Sequence, residues 1–458
     1  MSEAGFDVVV VGAGMGGLSA AVAAAEDEAR VLLLEKGAEP GGSFALAGGY
    51  VWTLDTVETY DELIPHGDAA LGHLVIEDYE FGIEWLREHG ARLEWTERGL
   101  GHHKRFGGHR IVPDTVTGGV RPLLAALEAA GGTLATGAAV TELLRGEGDE
   151  VRGVRYRDQD GAHEVGCAAV VLATGGFQAN LEMMARYVSP FADRAWVRSN
   201  PGSTGDGLRM ALAAGAGASR GLNGFYGHTL PAPPAQIEEE AFRKLSQFYS
   251  GECIVLNQQG RRFADESLGD EVVALNLIRE TGAEGYIVFD AATHGAQVQE
   301  SPFPDMDPFD PLERVRAAGG VVLSAETIED LARQLLDRYG VPGRNLLETI
   351  AEVNEAAASG DDLRLSVPRR DSLRACSQPP FYAVPIRPGV TFTEGGVRVD
   401  AEGCQVLAPD GRPVPGLFAA GADVGGVSIE SYAGGLAPAL ITGLRAGVFA
   451  ARSVATVG

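Results

Sequence analysis

The chain is poor in cysteine and in positive charge. Its four cysteines, Cys167, Cys253, Cys376 and Cys404, are scattered through 458 residues. No CxxC, CxxCH or clustered spacing exists, which excludes redox-disulfide, haem c and iron–sulfur sites built from this chain and suits a reducing cytoplasm. Lysine and arginine total 37 against 63 aspartates and glutamates, a formal net charge of −26. A nucleic acid or an anionic membrane surface is therefore excluded as a partner. Long hydrophobic runs are also missing. The most apolar stretch, 8–25, is interrupted by glycines and has no basic flank, so it reads neither as a membrane span nor as a signal peptide. Internal repeats and low-complexity tracts are absent too. What remains is the composition of a globular protein, 45% hydrophobic and long enough for two or three domains.

Against these absences stands an abundance of glycine in particular places. Gly12-Ala13-Gly14-Met15-Gly16-Gly17 follows the apolar run 8–11 and precedes the alanine-rich stretch 18–25. A second apolar run, 31–34, ends in Glu35 and Lys36. The order is strand, tight glycine turn, helix, strand, acid. Each part has a physical task in binding a dinucleotide: glycines let backbone approach a pyrophosphate, the helix N-terminus faces its charge, and Glu35 accepts from ribose hydroxyls. Pro40-Gly41-Gly42-Ser43 and Ala47-Gly48-Gly49-Tyr50 then supply further places where backbone can pass close to a flat ligand.

Periodicity predicts an amphipathic helix over 68–89 and another over 119–130. Short apolar runs at 140–144, 151–156 and 168–173, separated by turn residues, predict a β-meander ending in Ala173-Thr174-Gly175-Gly176. From about Pro231 prolines cluster and acidic helical patterns appear at 325–339 and 344–358, with strands expected at 253–257 and 286–290. This predicts a capping domain over 231–370 inserted between two parts of a nucleotide domain, 1–230 and 371–458. A last helix is expected over 436–451.

Seven segments together resemble the fumarate reductase/succinate dehydrogenase-like FAD oxidoreductases, including the 3-ketosteroid dehydrogenases. They are VVVVGAGMGGLSAA with Glu35-Lys36; GGSFALAGGYVW; VVLATGGF; STGDG; NQQGRRF; PFYA; and the ending GGVRVD, PVPGLFAAGADVGG and AGGLAPALITGLRAG. The resemblance implies an α/β fold: a Rossmann-like FAD-binding domain of glutathione-reductase type with an inserted α+β substrate-capping domain. It further implies FAD contacts from the segments above, from Val140, Ala173, Thr174 and Gly175, from Asp206 in STGDG, and from Gly421 and Asp423, the latter at the ribityl chain. Gly435, Leu436 and Ala437 would reach the pyrimidine edge of the ring, where helix-terminal amides suit negative charge. Members that tether FAD covalently use a histidine near the position of Ser43. No histidine lies between Lys36 and Tyr60, so the FAD is expected to be non-covalent. No second GxGxxG follows, so a separate NAD(P)H site has no support.

The resemblance implies that the family's dicarboxylate enzymes bind their substrates with two histidines and an arginine and protonate carbon with a further arginine. Three of those four positions differ here. The catalytic arginine falls on Gly269 or Asp270, the late histidine on the stretch Val390-Thr391-Phe392-Thr393-Glu394, and the substrate arginine on Tyr432. One histidine, His228 in Phe225-Tyr226-Gly227-His228, keeps its register. The resemblance thus points to the ketosteroid-dehydrogenase side, where tyrosine hydroxyls polarise a ketone, and to hydride exchange between flavin N5 and the β-carbon of a carbonyl compound. Candidate catalytic residues are Tyr432, His228, Tyr226, Asp270 and Glu266. For each a plainer role stays open: Tyr432 as an aromatic wall, His228 and Tyr226 as core, Glu266 and Asp270 as part of a solvated acidic run. Arg261 and Arg262 read as structural ion-pair formers. No metal site is expected; the cluster Gly101-His102-His103-Lys104-Arg105 lacks acids or cysteines at ligand spacing. An electron-transfer subunit of a larger complex, and a reductase of a small carboxylic acid, stay open as alternative functions, while the monooxygenase and amine-oxidase signatures differ from this ending.

Overall fold

The computed structural model describes residues 5–96, 108–112, 116–298, 309–360, 365–371 and 374–455. The expected nucleotide unit forms around a six-stranded sheet. Its order is Gln405–Leu407, Pro413–Ala419, Ala169–Leu172, Val8–Val11, Val31–Leu34, Thr133–Ala135. All neighbours are parallel except the first pair. The strands at 8–11, 31–34 and 169–172 are buried at every residue. That is why they read as unbroken valine and leucine runs rather than as alternating patterns: helices cover both faces of a parallel sheet.

The helices Met15–Glu26 and Leu436–Ala455 lie against each other. Gly443 and Gly447 make that approach possible, since a Cβ at either would collide with the backbone oxygen of Gly16 or Ala20. Two segments more than 400 residues apart in sequence therefore build one layer of the nucleotide unit.

A second sheet runs Trp196–Val197, Phe381–Thr393, Gly285–Asp290, Ile254–Asn257, with Phe225–Pro231 and Leu323–Ala325 also paired to the thirteen-residue strand 381–393. The helices Ile328–Tyr339 and Gly343–Ser359 pack over it through Leu331, Leu335, Leu346, Ile350 and Val353. Three of its strands come from outside 231–370, because the long strand 381–393 needs partners on both edges.

Two sequence expectations change. The helix over 68–89 is two, Ala69–Glu77 and Tyr79–Glu88, meeting at Asp78. Asp78 ends one helix and starts the next while binding Arg445. The meander's third strand is Gly161–Gly166, not 168–173. The latter run, fully apolar, enters the central sheet between Val8–Val11 and Pro413–Ala419. No helix among the described residues is long and apolar enough to cross a membrane. The cluster 101–105 lies outside the described residues.

Candidate active site

A single cavity of about 780 Å³ runs from Glu35 at one end to Tyr432 and His228 at the other. At its first end, Gly12 turns the chain out of strand 8–11 at φ +102°. A Cβ there would strike the carbonyl of Ala173. The helix Met15–Glu26 then starts at Gly14, whose side-chain-less cap leaves the first-turn amides uncapped. A Cβ on Gly14 would find only Gly41 O at 3.9 Å, so the space before it is open cavity. Glu35 accepts from the Ala13 and Gly37 amides at 2.8 and 2.7 Å while lining the cavity. Lys36 reaches across to Thr204 Oγ1 and Asp206 Oδ2 at 2.8 and 2.7 Å.

These features fit FAD. An uncapped helix start facing open space suits a pyrophosphate. A carboxylate at the tip of the second strand suits a ribose. Of the candidate cofactor residues, Gly12, Gly14, Met15, Gly16, Glu35, Lys36, Gly42, Ser43, Gly48, Val140, Ala173, Thr174, Gly175, Asp206, Gly421, Gly435 and Leu436 line the cavity. Gly17, Gly41, Gly49, Asp423 and Ala437 stand behind it. A Cβ on Gly17 would strike Gly12 O, one on Gly41 the Ala45 methyl and one on Gly49 the Ile111 carbonyl. Ala437 is fully buried. Asp423 is buried and accepts from the Thr174 amide at 2.5 Å and from its hydroxyl at 2.9 Å. Burial pushes its carboxyl up to about 7. In this arrangement it aims the Thr174 turn at the cavity.

At the other end, four of the five candidate catalytic residues come together. Tyr226 and His228 alternate on strand 225–231, two residues apart and so on one face of it. Asp270 opens the helix Asp270–Leu277 after Gly269, where an acid is favoured by the helix N-terminus. The Tyr226 hydroxyl lies 2.8 Å from His228 Nε2, and His228 Nδ1 lies 2.9 Å from Asp270 Oδ2. Asp270 also accepts from the Thr229 amide at 3.3 Å. The ring of Tyr226 stacks on Tyr432 at 3.6 Å and 12°, and Trp52 meets Tyr432 edge-on at 5.1 Å. All four residues are buried. Burial pulls His228 well below its ordinary range and pushes Asp270 up to about 6. It raises both tyrosines. The imidazole is thus neutral, with Nδ1–H donating to Asp270 and Nε2 accepting from Tyr226.

Glu266 is not part of this group. It is fully buried outside the cavity, where Arg262 and Arg369 bind its carboxylate at 2.6 and 2.9 Å and the Val255 amide donates to it. Two guanidiniums hold it as a structural anion, which removes it from the catalytic candidates. Arg262 is the structural ion-pair former expected. Glu271 lies beside His228 and Asp270, with ligand atoms of the three within 4.8 Å. Both ring nitrogens of His228 already have hydrogen-bond partners, so the group is arranged for proton movement.

The sequence reading missed Arg198. It follows the two-residue strand Trp196–Val197, and its amide donates to Val390 O at 2.8 Å. Its side chain lines the cavity, as does that of Arg243. A strand of two residues carries no periodic signal, and nothing in its sequence marks Arg198 as enclosed.

The FAD binding domain family matches this chain over residues 7–435, and the chain belongs to that family. Its relatives include FAD-dependent oxidoreductases of the fumarate reductase-like kind. It is 30% identical, over 98% of its length, to an NADH:fumarate oxidoreductase of Klebsiella pneumoniae, of which it covers 48%. It is 29% identical, over 94% of its length, to a fumarate reductase (cytochrome) of Shewanella frigidimarina, of which it covers 74%. It thus spans about half the length of the first of these relatives. Its fold is shared with a 3-ketosteroid-Δ4-(5α)-dehydrogenase of Rhodococcus jostii, with a TM-score of 0.75, 22% identity and 98% of each chain covered.

Acid denaturation is expected to release free FAD into the supernatant. Flavin that stays with the precipitated chain would show a covalent link.

Proposed function

We propose that this flavoenzyme exchanges hydride with the β-carbon of a carbonyl compound, desaturating the α,β-bond or reducing it, and that Tyr226, His228 and Asp270 move the accompanying proton. The observation that carries this reading is the hydrogen-bonded line from Tyr226 through His228 to Asp270, in which Tyr226 and His228 line the cavity and Asp270 lies behind them. Bound FAD supplies the two-electron acceptor or donor at N5.

The protein's share follows from its side chains. In desaturation the Tyr226 oxygen takes the α-proton while its own proton passes to Nε2 of His228. Asp270 stabilises the resulting imidazolium through Nδ1–H. Tyr432, stacked beside Tyr226, donates its hydroxyl to the carbonyl oxygen as enolate charge develops. Alkene reduction runs the same proton path backwards, from imidazolium to Tyr226 to the α-carbon. Stacked rings and enclosing aromatics, Phe392 at 5.2 Å from Tyr226 and Phe248 at 4.9 Å from His228, keep water from this path.

In this reading residues 1–230 and 371–458 form the FAD unit and 231–370 the cap, with the cap's sheet borrowing strands 196–197, 225–231 and 381–393. A small-molecule substrate and an external electron donor or acceptor are the only partners it needs. A cytoplasmic location is part of it, supported by four buried cysteines with free thiols.

Anaerobic mixing of the oxidised protein with cyclic ketones, and of the reduced protein with enones and short unsaturated acids, tests the reading. Bleaching or recovery of the flavin absorbance with a CH–CH substrate supports it. Reactivity confined to amines or alcohols would overturn it.

The relay also sets a pH dependence. Asp270 must be ionised to stabilise the imidazolium, and burial places its titration at about 6. The desaturation rate is therefore present above pH 6 and lost as pH falls through it. Asp270→Asn should lower the rate by roughly 100-fold or more and abolish that acidic limb. A wild-type rate unchanged between about pH 5 and 8 would remove Asp270 from the relay.

A further inference from the structure

Arg198 has no role in the proton path, yet its side chain lines the cavity where Tyr226 and Tyr432 do. Two neutral hydroxyls fix it: Nε donates to Ser246 Oγ and Nη1 to Thr391 Oγ1, each at 3.1 Å. Among the described residues no carboxylate pairs with the guanidinium, and Nη2 makes no hydrogen bond. The contrast with Arg262 and Arg369 is direct: those two are buried away from the cavity and both bind Glu266, whereas Arg198 keeps part of its surface open to the cavity.

A half-buried cation without a paired anion is costly, because it has given up part of its water and gained no ion-pair partner. The acids nearby do not supply one. Asp270 directs its oxygen to His228 and Thr229. Burial pushes Glu394 up to about 8, which leaves it mostly protonated at neutral pH. Arg243 adds a second positive charge that Arg198 feels. Burial pulls Arg198 itself below its ordinary value. In a chain with a net charge of −26, an arginine that lines a cavity and forms no ion pair among the described residues is placed to receive an anion from outside.

We propose that Arg198 is the anion-binding residue of the substrate cavity, and that the substrate is a monocarboxylate whose carboxylate docks on the free Nη2 edge of the guanidinium. This rests on the hydride-exchange reading and narrows its substrate class from carbonyl compounds in general to those bearing one carboxylate. Guanidinium suits the task, presenting planar donors to a planar anion. A single carboxylate fits better than two. The positions where the resemblance places the dicarboxylate enzymes' cations hold Gly269 or Asp270, Thr391-Phe392 and Tyr432. Thr391, within the stretch where the late histidine falls, instead steadies Arg198. Arg243 lies on the segment that carries the exposed Glu239 and Glu240, and its guanidinium sits 5.7 Å from the ring of Tyr50.

The test reads binding rather than turnover. FAD-loaded protein is titrated with crotonate, with its neutral amide crotonamide and with fumarate, following the perturbation of the flavin's visible spectrum. Crotonate is expected to bind at least about tenfold more tightly than crotonamide or fumarate. Arg198→Gln should weaken crotonate by about tenfold to a hundredfold and leave crotonamide unchanged, while Arg198→Lys restores part of the loss. Equal binding of crotonate and crotonamide by the wild-type protein, no binding of any of the three, or an Arg198→Gln protein that binds crotonate normally overturns the proposal. The wild-type comparison stands even if a variant fails to hold FAD. Failure of the hydride-exchange reading looks different: crotonate then binds through Arg198, but neither it nor any other CH–CH compound oxidises or reduces the flavin.

Discussion

Tyr226→Phe lowers turnover by about 100- to 10,000-fold, with FAD and fold retained. The ring stays where it is, stacked at 3.6 Å on Tyr432 and packed on Phe392. Only the hydroxyl that hydrogen-bonds His228 is lost. His228 Nε2 is then left buried without its donor, so a stability loss of about 1–3 kcal/mol accompanies the kinetic effect. Anaerobic stopped-flow reduction of the flavin measures the rate, and thermal unfolding measures the stability. The same substitution at Tyr432 separates two roles. A donor to the developing oxyanion is worth about 100- to 1000-fold, whereas an aromatic wall would lose almost nothing. A Tyr226→Phe protein with wild-type rate would send the proton by another path and leave the Tyr226–His228–Asp270 line as mere packing.

Gly14→Val yields a folded protein without FAD. The two halves of that statement come from the same observation. A Cβ at residue 14 meets no protein atom closer than 3.9 Å, and the backbone there, at φ −79°, accepts any residue. The apoprotein should therefore keep its secondary structure. The space the valine fills is the open cavity in front of the uncapped helix start, where the pyrophosphate must come close to backbone amides. Circular dichroism reports the fold and the visible flavin spectrum reports retention. A yellow Gly14→Val protein would place the dinucleotide elsewhere.

The nucleotide unit was legible because its chemistry is local. Gly12, Gly14 and Glu35 lie within one strand–helix–strand unit, and their tasks can be read from spacing. The second sheet was only partly legible. Its strands at 254–257 and 285–290 were marked by apolar runs, but 196–197 and 323–325 are too short to show a period, and their pairing with 381–393 is a matter of tertiary structure. The active site divides in the same way. Tyr226, His228, Asp270 and Tyr432 were legible as candidates, yet only the packing of helix 270–277 on strand 225–231 puts Asp270 behind His228. Glu266 looked equivalent to Asp270 in the same acidic run. What separates them is the side from which arginines arrive, Arg262 from four residues away and Arg369 from across the cap. Arg198 was invisible for the converse reason, since enclosure without an acid is a property of the folded surroundings.

The pairing of helix 15–26 with helix 436–455 also has a consequence in time. On the ribosome the glycine turn at 12–17 emerges well before Gly421, Gly435 and Leu436, which complete the cavity wall. At about 5–20 residues per second, tens of seconds pass between the two. The nascent chain has no closed cofactor lane during that interval, so flavin is captured only once helix 436–455 has emerged, and a chain cut short before that helix stays colourless.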